Sequence, residues 1–272
     1  MGLREAFDMT DRVAVVTGSG QGIGRAIAWG LAEFGCDVAI NARRIADLEQ
    51  TAAGIEERGR RALIIDGDIR DFSDGIAERT TAEFGQLDVW VNNVGGSDDK
   101  TTRPLVDTDD ETFRSQLELN LTSAFQGCRA AAAHMVDGGS IVNISSGAGM
   151  RGSPMTGPYA AAKAGMNNMS ETLALELAPR VRVNTVAPGP VVTEAFRETL
   201  TDDPAKLAAI TSSVPLGRTG TPDDIASAVV YLASDASSWV TGQLILVAGG
   251  RTHRSVNYDP AGGSAASPGG GR

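Results

Sequence analysis

Cysteine and histidine are scarce: the chain of 272 residues carries two of each. Cys36 and Cys128 form no CxxC pair, so there is neither a zinc-ligand spacing nor a disulfide framework, and no metal is expected. A reducing compartment follows, and with it a cytoplasmic location. Positive charge is in deficit. With 24 Lys and Arg against 34 Asp and Glu the formal charge is −10, which argues against nucleic acid or an anionic membrane as the main partner. Long apolar runs are absent too, and no stretch of about 18 such residues is available for a membrane span. The opening MGLREAFDMTDR lacks the apolar centre of a signal peptide, so none is expected. Gly2 does not open a myristoylation motif, because Ala6 stands where Ser or Thr is required.

What is present is a pattern of short β-branched runs alternating with longer helical ones. Arg12–Thr17, Val38–Asn41, Ala62–Asp66, Leu87–Asn92, Ser140–Ile144, Val181–Val186 and Leu244–Val247 read as seven strands. Between them, Ile23, Ile27, Leu31 and Phe34, and later Met166, Met169, Leu173 and Leu177, recur at helical spacing. Strands alternating with helices imply an α/β fold: a doubly wound parallel sheet with helices on both faces. There is no internal repeat and no linker, so residues 1–250 read as a single domain. From 251 to 272 the chain turns polar and Gly/Ser/Ala/Pro-rich, a composition too poor in apolar residues to form a core, and is expected to be disordered.

Two patterns carry chemistry. Thr17–Gly24 (TGSGQGIG) follows the first strand and opens a helix, a place where backbone N–H groups and the helix N-terminus can meet a pyrophosphate. Its spacing is TGxxxGxG rather than GxGxxG, and alone it is a glycine-rich turn like many others. Further on, Tyr159 and Lys163 stand four residues apart, hence on one face of a helix. Ser146 precedes them, just past the strand Ser140–Ile144. Singly, these three would read as a turn serine, a core tyrosine and a surface lysine.

Together, and in this order, they resemble the short-chain dehydrogenase/reductase family in its single-domain branch. The resemblance runs through Thr17–Gly24, Asp68, Asn92–Gly95, Asn120, Ser146, Tyr159–Lys163 and Pro188-Gly189 with Thr193, across most of residues 10–250. It implies a Rossmann-like fold and hydride transfer between a nicotinamide nucleotide and a carbonyl or alcohol. It implies Asn120, Ser146, Tyr159 and Lys163 as catalytic residues. It also implies Gly18, Ser19, Gln21, Gly22, Ile23, Gly24, Arg43, Asp68, Ile69, Asn92, Tyr159, Lys163, Val191 and Thr193 as cofactor contacts, and a homotetramer as the assembly. The physical logic is independent of the likeness. A tyrosine of pKa ~10 is a poor base at neutral pH. An ammonium about 5 Å away, at an effective dielectric of ~20, would favour phenolate by roughly 3 kcal/mol, about two pKa units. Lys163 is therefore expected to lower Tyr159, with Ser146 holding the substrate oxygen.

Charge at the end of the second strand bears on the nucleotide. Ala42 stands where the family's NAD-binding members carry an acid, and Arg43 and Arg44 follow. A 2′-phosphate favours guanidinium partners, so NADP(H) is preferred over NAD(H), although Gln21 is neutral where many NADP(H)-dependent relatives are basic. Substrate specificity is expected in Gly96–Arg103, Gly147–Pro158 and a lid at 194–215, where Phe196, Leu200, Leu207 and Ile210 are apolar. Only Arg103 and Arg151 lie near enough to grip an anion. The substrate expected is a neutral ketone or secondary alcohol, cyclic or steroid-like; a 3-oxoacyl carrier-protein reductase and a non-catalytic nucleotide-binding sensor or scaffold are the alternatives.

Overall fold

The structure, a computed structural model, describes residues 2–96, 103–135, 137–194 and 204–251. Seven parallel strands form one sheet in the order β3-β2-β1-β4-β5-β6-β7. They are β1 (Val13–Thr17), β2 (Asp37–Ala42), β3 (Ala62–Asp66), β4 (Val89–Asn92), β5 (Gly139–Ile144), β6 (Val181–Pro188) and β7 (Leu244–Val247). The seven β-branched runs are these strands, shifted by one or two residues at six of the fourteen ends. Every residue of β1, β4 and β5 is buried, which is why they read as continuous apolar runs rather than alternating ones.

Helices cover both faces. On one lie α1 (Gly22–Glu33), α2 (Ile45–Glu56) and α8 (Pro222–Ala233), where Ile27, Leu31, Leu48, Ile55, Ile225 and Val229 are fully buried. On the other lie α3 (Ile69–Phe84), α5 (Ser123–His134) and α6 (Gly157–Leu177), packing Ile76, Ala77, Ala131, Met169 and Leu173 against Trp90 and Ile141. Burying each large aliphatic side chain contributes roughly 1.5–3 kcal/mol. Phe34 is an exception to the expected stripe: α1 ends at Glu33, and Phe34 is its C-cap, 40% exposed with its ring against Phe7. Two shorter helices, α4 (Asp110–Leu117) and α7 (Pro204–Ser212), are also present among the described residues. Pro204 opens α7, where a first-turn proline gives up no helical hydrogen bond. Of the segment 194–215, expected to act as a lid, residues 195–203 lie outside the described residues, Phe196 and Leu200 among them, and so do residues 97–102 and 252–272.

The chain order reverses between β1 and β4, which are neighbours at the centre of the sheet. Loops leaving the C-terminal ends of these strands diverge there and leave a crevice, the usual ligand position in such sheets. Among the described residues no helix is long and apolar enough to cross a membrane. Cys36 and Cys128 are free and buried, and burial pushes both thiols up to about 12.

Candidate active site

The glycine loop forms one wall of that crevice. Gly18 and Gly22 take φ of +64° and +56°, values that suit glycine alone without strain. The loop's carbonyls are tied inward. Asn93 donates from Nδ2 to the carbonyls of Thr17 and Gly18, both at 3.0 Å. Thr51 Oγ1 donates to Ser19 O at 2.9 Å, and the Arg25 guanidinium donates to Gly20 O. With these oxygens engaged, the positive end of α1 is what the loop offers an anion. A Cβ on Gly24 would lie 2.3 Å from Gly18 O and 2.5 Å from Asn93 Nδ2, so this glycine is the condition for helix and loop to touch.

The cleft beyond has a volume of about 420 Å³, within the range of small-molecule sites. Gln21, Arg43, Arg44, Asp68, Ile69 and Val94 are among its walls. A glycine cradle with inward carbonyls at a helix N-terminus fits a dinucleotide pyrophosphate. Asp68 caps α3, accepting from Arg70 N at 3.0 Å while its carboxylate pairs with the Arg70 guanidinium at 2.7 Å. The Arg70 hydrogen bond holds its pKa below the ordinary value. Other expected contacts sit differently. Ser19 is buried with Oγ directed at Asn41 O. Asn92 turns its amide into the sheet, accepting from Trp90 Nε1 and donating to Asn143 Oδ1; Val191 is likewise buried, in a bridge to Gly220. Ile23 packs on the core. For Ser19, Asn92 and Val191 only the backbone is left to serve a nucleotide. Thr193 lies against the loop, its Cγ2 3.3 Å from where a Gly22 Cβ would be.

The second half of the site is built by β5 and α6. Ser146 follows β5, and its Oγ accepts from Ala148 N at 3.1 Å. Tyr159, in the first turn of α6, shares a hydrogen bond with Ser146. One turn on, Lys163 is buried with Nζ 5.9 Å from the Tyr159 ring centre, donating to Ile144 O at 2.9 Å. Asn143 Nδ2 donates to Ser170 Oγ at 2.9 Å, and Ser145 Oγ donates to Lys163 O, so strand and helix are tied on both sides of the lysine. Asn120 is fully buried in a π-helical turn, Glu118–Thr122, between α4 and α5. Its Oδ1 accepts from Gly96 N, and its Nδ2 donates to Gly96 O and Gln116 O. A Cβ on Gly95 would lie 2.9 Å from both Asn120 Oδ1 and Lys163 Nζ. The structure thus brings Ser146, Tyr159, Lys163 and Asn120 to one place.

The electrostatics differ from the sequence expectation. Tyr159 is pushed up rather than down, because burial outweighs the Ser146 hydrogen bond that opposes it. Lys163 is itself desolvated and pulled down to about 7, so at neutral pH it is only partly charged and its pull on the phenol is weak. A consequence is measurable. Below about pH 7 the folded state bears the full cost of a buried ammonium; between 7 and the unfolded value of ~10.4 the unfolded chain binds the extra proton, and stability rises with pH by at most about 1.4 kcal/mol per unit. Urea unfolding at pH 7, 8 and 9 should show wild type gaining on Lys163→Met across this window. A constant difference would mean the lysine is not desolvated in the fold.

The sequence reading missed Asn93, Gly95 and Arg25. The first two lie inside the Asn92–Gly95 quartet and could have been found there; nothing marks Arg25, whose role appears only when α1 returns to the loop.

Comparison with known proteins agrees with this geometry. A family model described as "Enoyl-(Acyl carrier protein) reductase" matches residues 18–252. A solved short-chain type dehydrogenase/reductase from Mycobacterium marinum superposes with a TM-score of 0.84 at 34% identity, covering 92% of this chain and 98% of that one. This chain belongs to the short-chain dehydrogenase/reductase family. The cis-4-hydroxycyclohexanecarboxylate dehydrogenase of Sinomonas cyclohexanicum is 40% identical over 91% of this chain and 98% of its own length. The 3beta-hydroxysteroid dehydrogenase 1 of Eggerthella lenta is 36% identical over 90% and 95%. As a member of the family, the short-chain dehydrogenase/reductase described here is an oxidoreductase acting on hydroxyl or keto groups of small molecules, and its family binds NAD(P)(H).

Proposed function

We propose that this enzyme prefers NADP(H) and interconverts a ketone and a secondary alcohol on a neutral cyclic or steroid-like compound. The observation that carries the reading is Tyr159 hydrogen-bonded to Ser146 beside the buried Lys163, at the sheet edge that also holds the glycine cradle. A bound nicotinamide supplies or accepts hydride; the residues of the chain manage the oxygen and its proton. Tyr159, kept protonated by burial, is an acid at neutral pH. The Ser146 hydroxyl holds the substrate oxygen against it. Behind them Lys163 Nζ, whose ammonium form is a proton donor, returns a proton toward the tyrosine, and Asn120 helps to seat a water that resupplies the lysine.

Arg43 supports the preference for the phosphorylated nucleotide. It lines the cleft and, among the described residues, makes no hydrogen bond or ion pair, while its charge reaches Asp68. Asn120, Ser146, Tyr159 and Lys163 are the catalytic residues of this reading, and Gly18, Gln21, Gly22, Gly24, Arg43, Asp68, Ile69 and Thr193 hold the nucleotide. The neutral, cyclic substrate draws on the two relatives named for cyclic and steroid alcohols and on Arg103 lying 3.6 Å from Asp109, which occupies one of the two nearby cations. A carrier-protein substrate fits less well, because a chain of −10 repels an acidic carrier. A cytoplasmic homotetramer completes the proposal; Leu175 and Trp239, 84% and 98% exposed, are apolar side chains that subunit contacts would cover.

The test is a panel of cyclic and steroid ketones with NADPH, read by loss of its absorbance and by recovery of the alcohol. Stoichiometric conversion of at least one cyclic ketone is expected. Tight NADPH binding with no turnover across ketones and alcohols would favour a nucleotide-binding sensor instead.

A further inference from the structure

The adenosine corner of the cleft contains a carboxylate as well as the two arginines. Asp47, in the first turn of α2, lines the cleft. Its Oδ2 lies 2.6 Å from Arg44 Nη2, and the same guanidinium donates to Gln21 Oε1 at 3.1 Å. A Cβ placed on Gly20 would be 3.0 Å from Asp47 Cβ, 3.3 Å from Ala42 Cβ and 3.6 Å from Asp47 Oδ2. The carboxylate therefore hangs over the glycine loop beside Ala42, the strand-end position at which an acid would accept a ribose hydroxyl. Ala42 supplies no acid; Asp47 brings one to the same corner from the next helix. Its side chain is only 22% exposed, against 69% for Arg44, so the carboxylate is the more fixed and less screened member of the pair.

We propose that Asp47 is a specificity-determining residue that holds the preference for NADP(H) down and keeps NAD(H) within reach. It acts in two ways. It occupies the Arg44 guanidinium, so a 2′-phosphate must share or displace it, and it repels that phosphate directly. Toward an unphosphorylated ribose the same oxygen is a hydrogen-bond acceptor. The inference rests on the reading of the cleft as a nucleotide site.

The experiment is a fluorescence titration with NADPH and NADH of wild type, Asp47→Asn, Asp47→Ser and the double variant Asp47→Asn with Arg44→Ala. Removing one carboxylate from this corner is expected to tighten NADPH about tenfold, about 1.4 kcal/mol, while NADH binds no tighter than before. In the double variant most of that gain should vanish, because the freed guanidinium is gone. If both Asp47 variants bind NADH but leave the ratio of the two affinities within twofold of wild type, the inference is overturned and the cleft reading stands. A wild-type chain that binds neither nucleotide overturns the cleft reading itself, and this inference with it.

Discussion

Tyr159→Phe is expected to lose turnover by about a thousandfold or more, in the upper part of the range for a positioned general acid, while its NADPH affinity stays within about twofold of wild type. The substitution keeps the half-buried ring and its place in the first turn of α6, and removes only the hydroxyl that Ser146 bonds. Leaving Ser146 with one partner fewer costs about 1 kcal/mol of stability, too little to unfold the domain. Lys163 keeps its bond to Ile144 O, since that contact comes from the strand. Steady-state kinetics beside a binding titration separate the two effects. Turnover within tenfold of wild type would remove Tyr159 from the chemistry and leave Ser146, or a water molecule, to handle the proton.

The second large effect is expected at Gly24. An alanine there drives Cβ to 2.3 Å from Gly18 O and 2.5 Å from Asn93 Nδ2. The first of these is backbone and cannot swing away, so α1 must lift or the loop must open. Overpacking of this kind costs about 1–3 kcal/mol. It also breaks the arrangement in which Asn93 holds the Thr17 and Gly18 carbonyls inward. Nucleotide affinity should fall at least about a hundredfold, about 2.8 kcal/mol. Gly59→Ala is the control. Gly59 has φ +74° and nothing within 4 Å of its added Cβ, so it should cost about 1–2 kcal/mol of backbone strain with nucleotide binding untouched. Equal losses of binding in the two variants would mean that instability, not the geometry of the loop, is responsible.

Much of this was legible in the sequence, for identifiable reasons. A sheet buried on both faces writes its strands as runs such as Val13–Thr17, and crossover helices leave the apolar stripe seen in α6. The spacing of Ser146, Tyr159 and Lys163 encodes a strand end and one helical face, both local properties. Contacts that depend on how separate elements meet were not legible. The π-helical turn around Asn120 leaves no composition signal, yet it turns that amide toward Gly96. The direction of the Tyr159 shift depends on burial by the folded chain, and a Coulomb estimate from spacing alone gave the opposite sign. Arg43 is the arginine expected at the nucleotide; that its neighbour Arg44 is taken by Asp47 and Gln21 is not written in the sequence. Asn92 reads as a backbone contact for the cofactor; what the sequence does not show is that its side chain joins Trp90 to Asn143, and that Asn143 joins Ser170, linking β4 and β5 to the helix that carries the tyrosine and lysine.

The two halves of the site meet in one requirement of the proposed function: a nicotinamide nucleotide must bind the glycine-lined cleft before Tyr159 has any reaction to serve. The most direct measurement is a parallel fluorescence titration of the full chain with NADPH and NADH. The expected result is binding of both, with NADPH tighter by about tenfold, about 1.4 kcal/mol. Equal or tighter binding of NADH would contradict the reading of Arg43 at the end of β2, and binding of neither would contradict the assignment of the cleft.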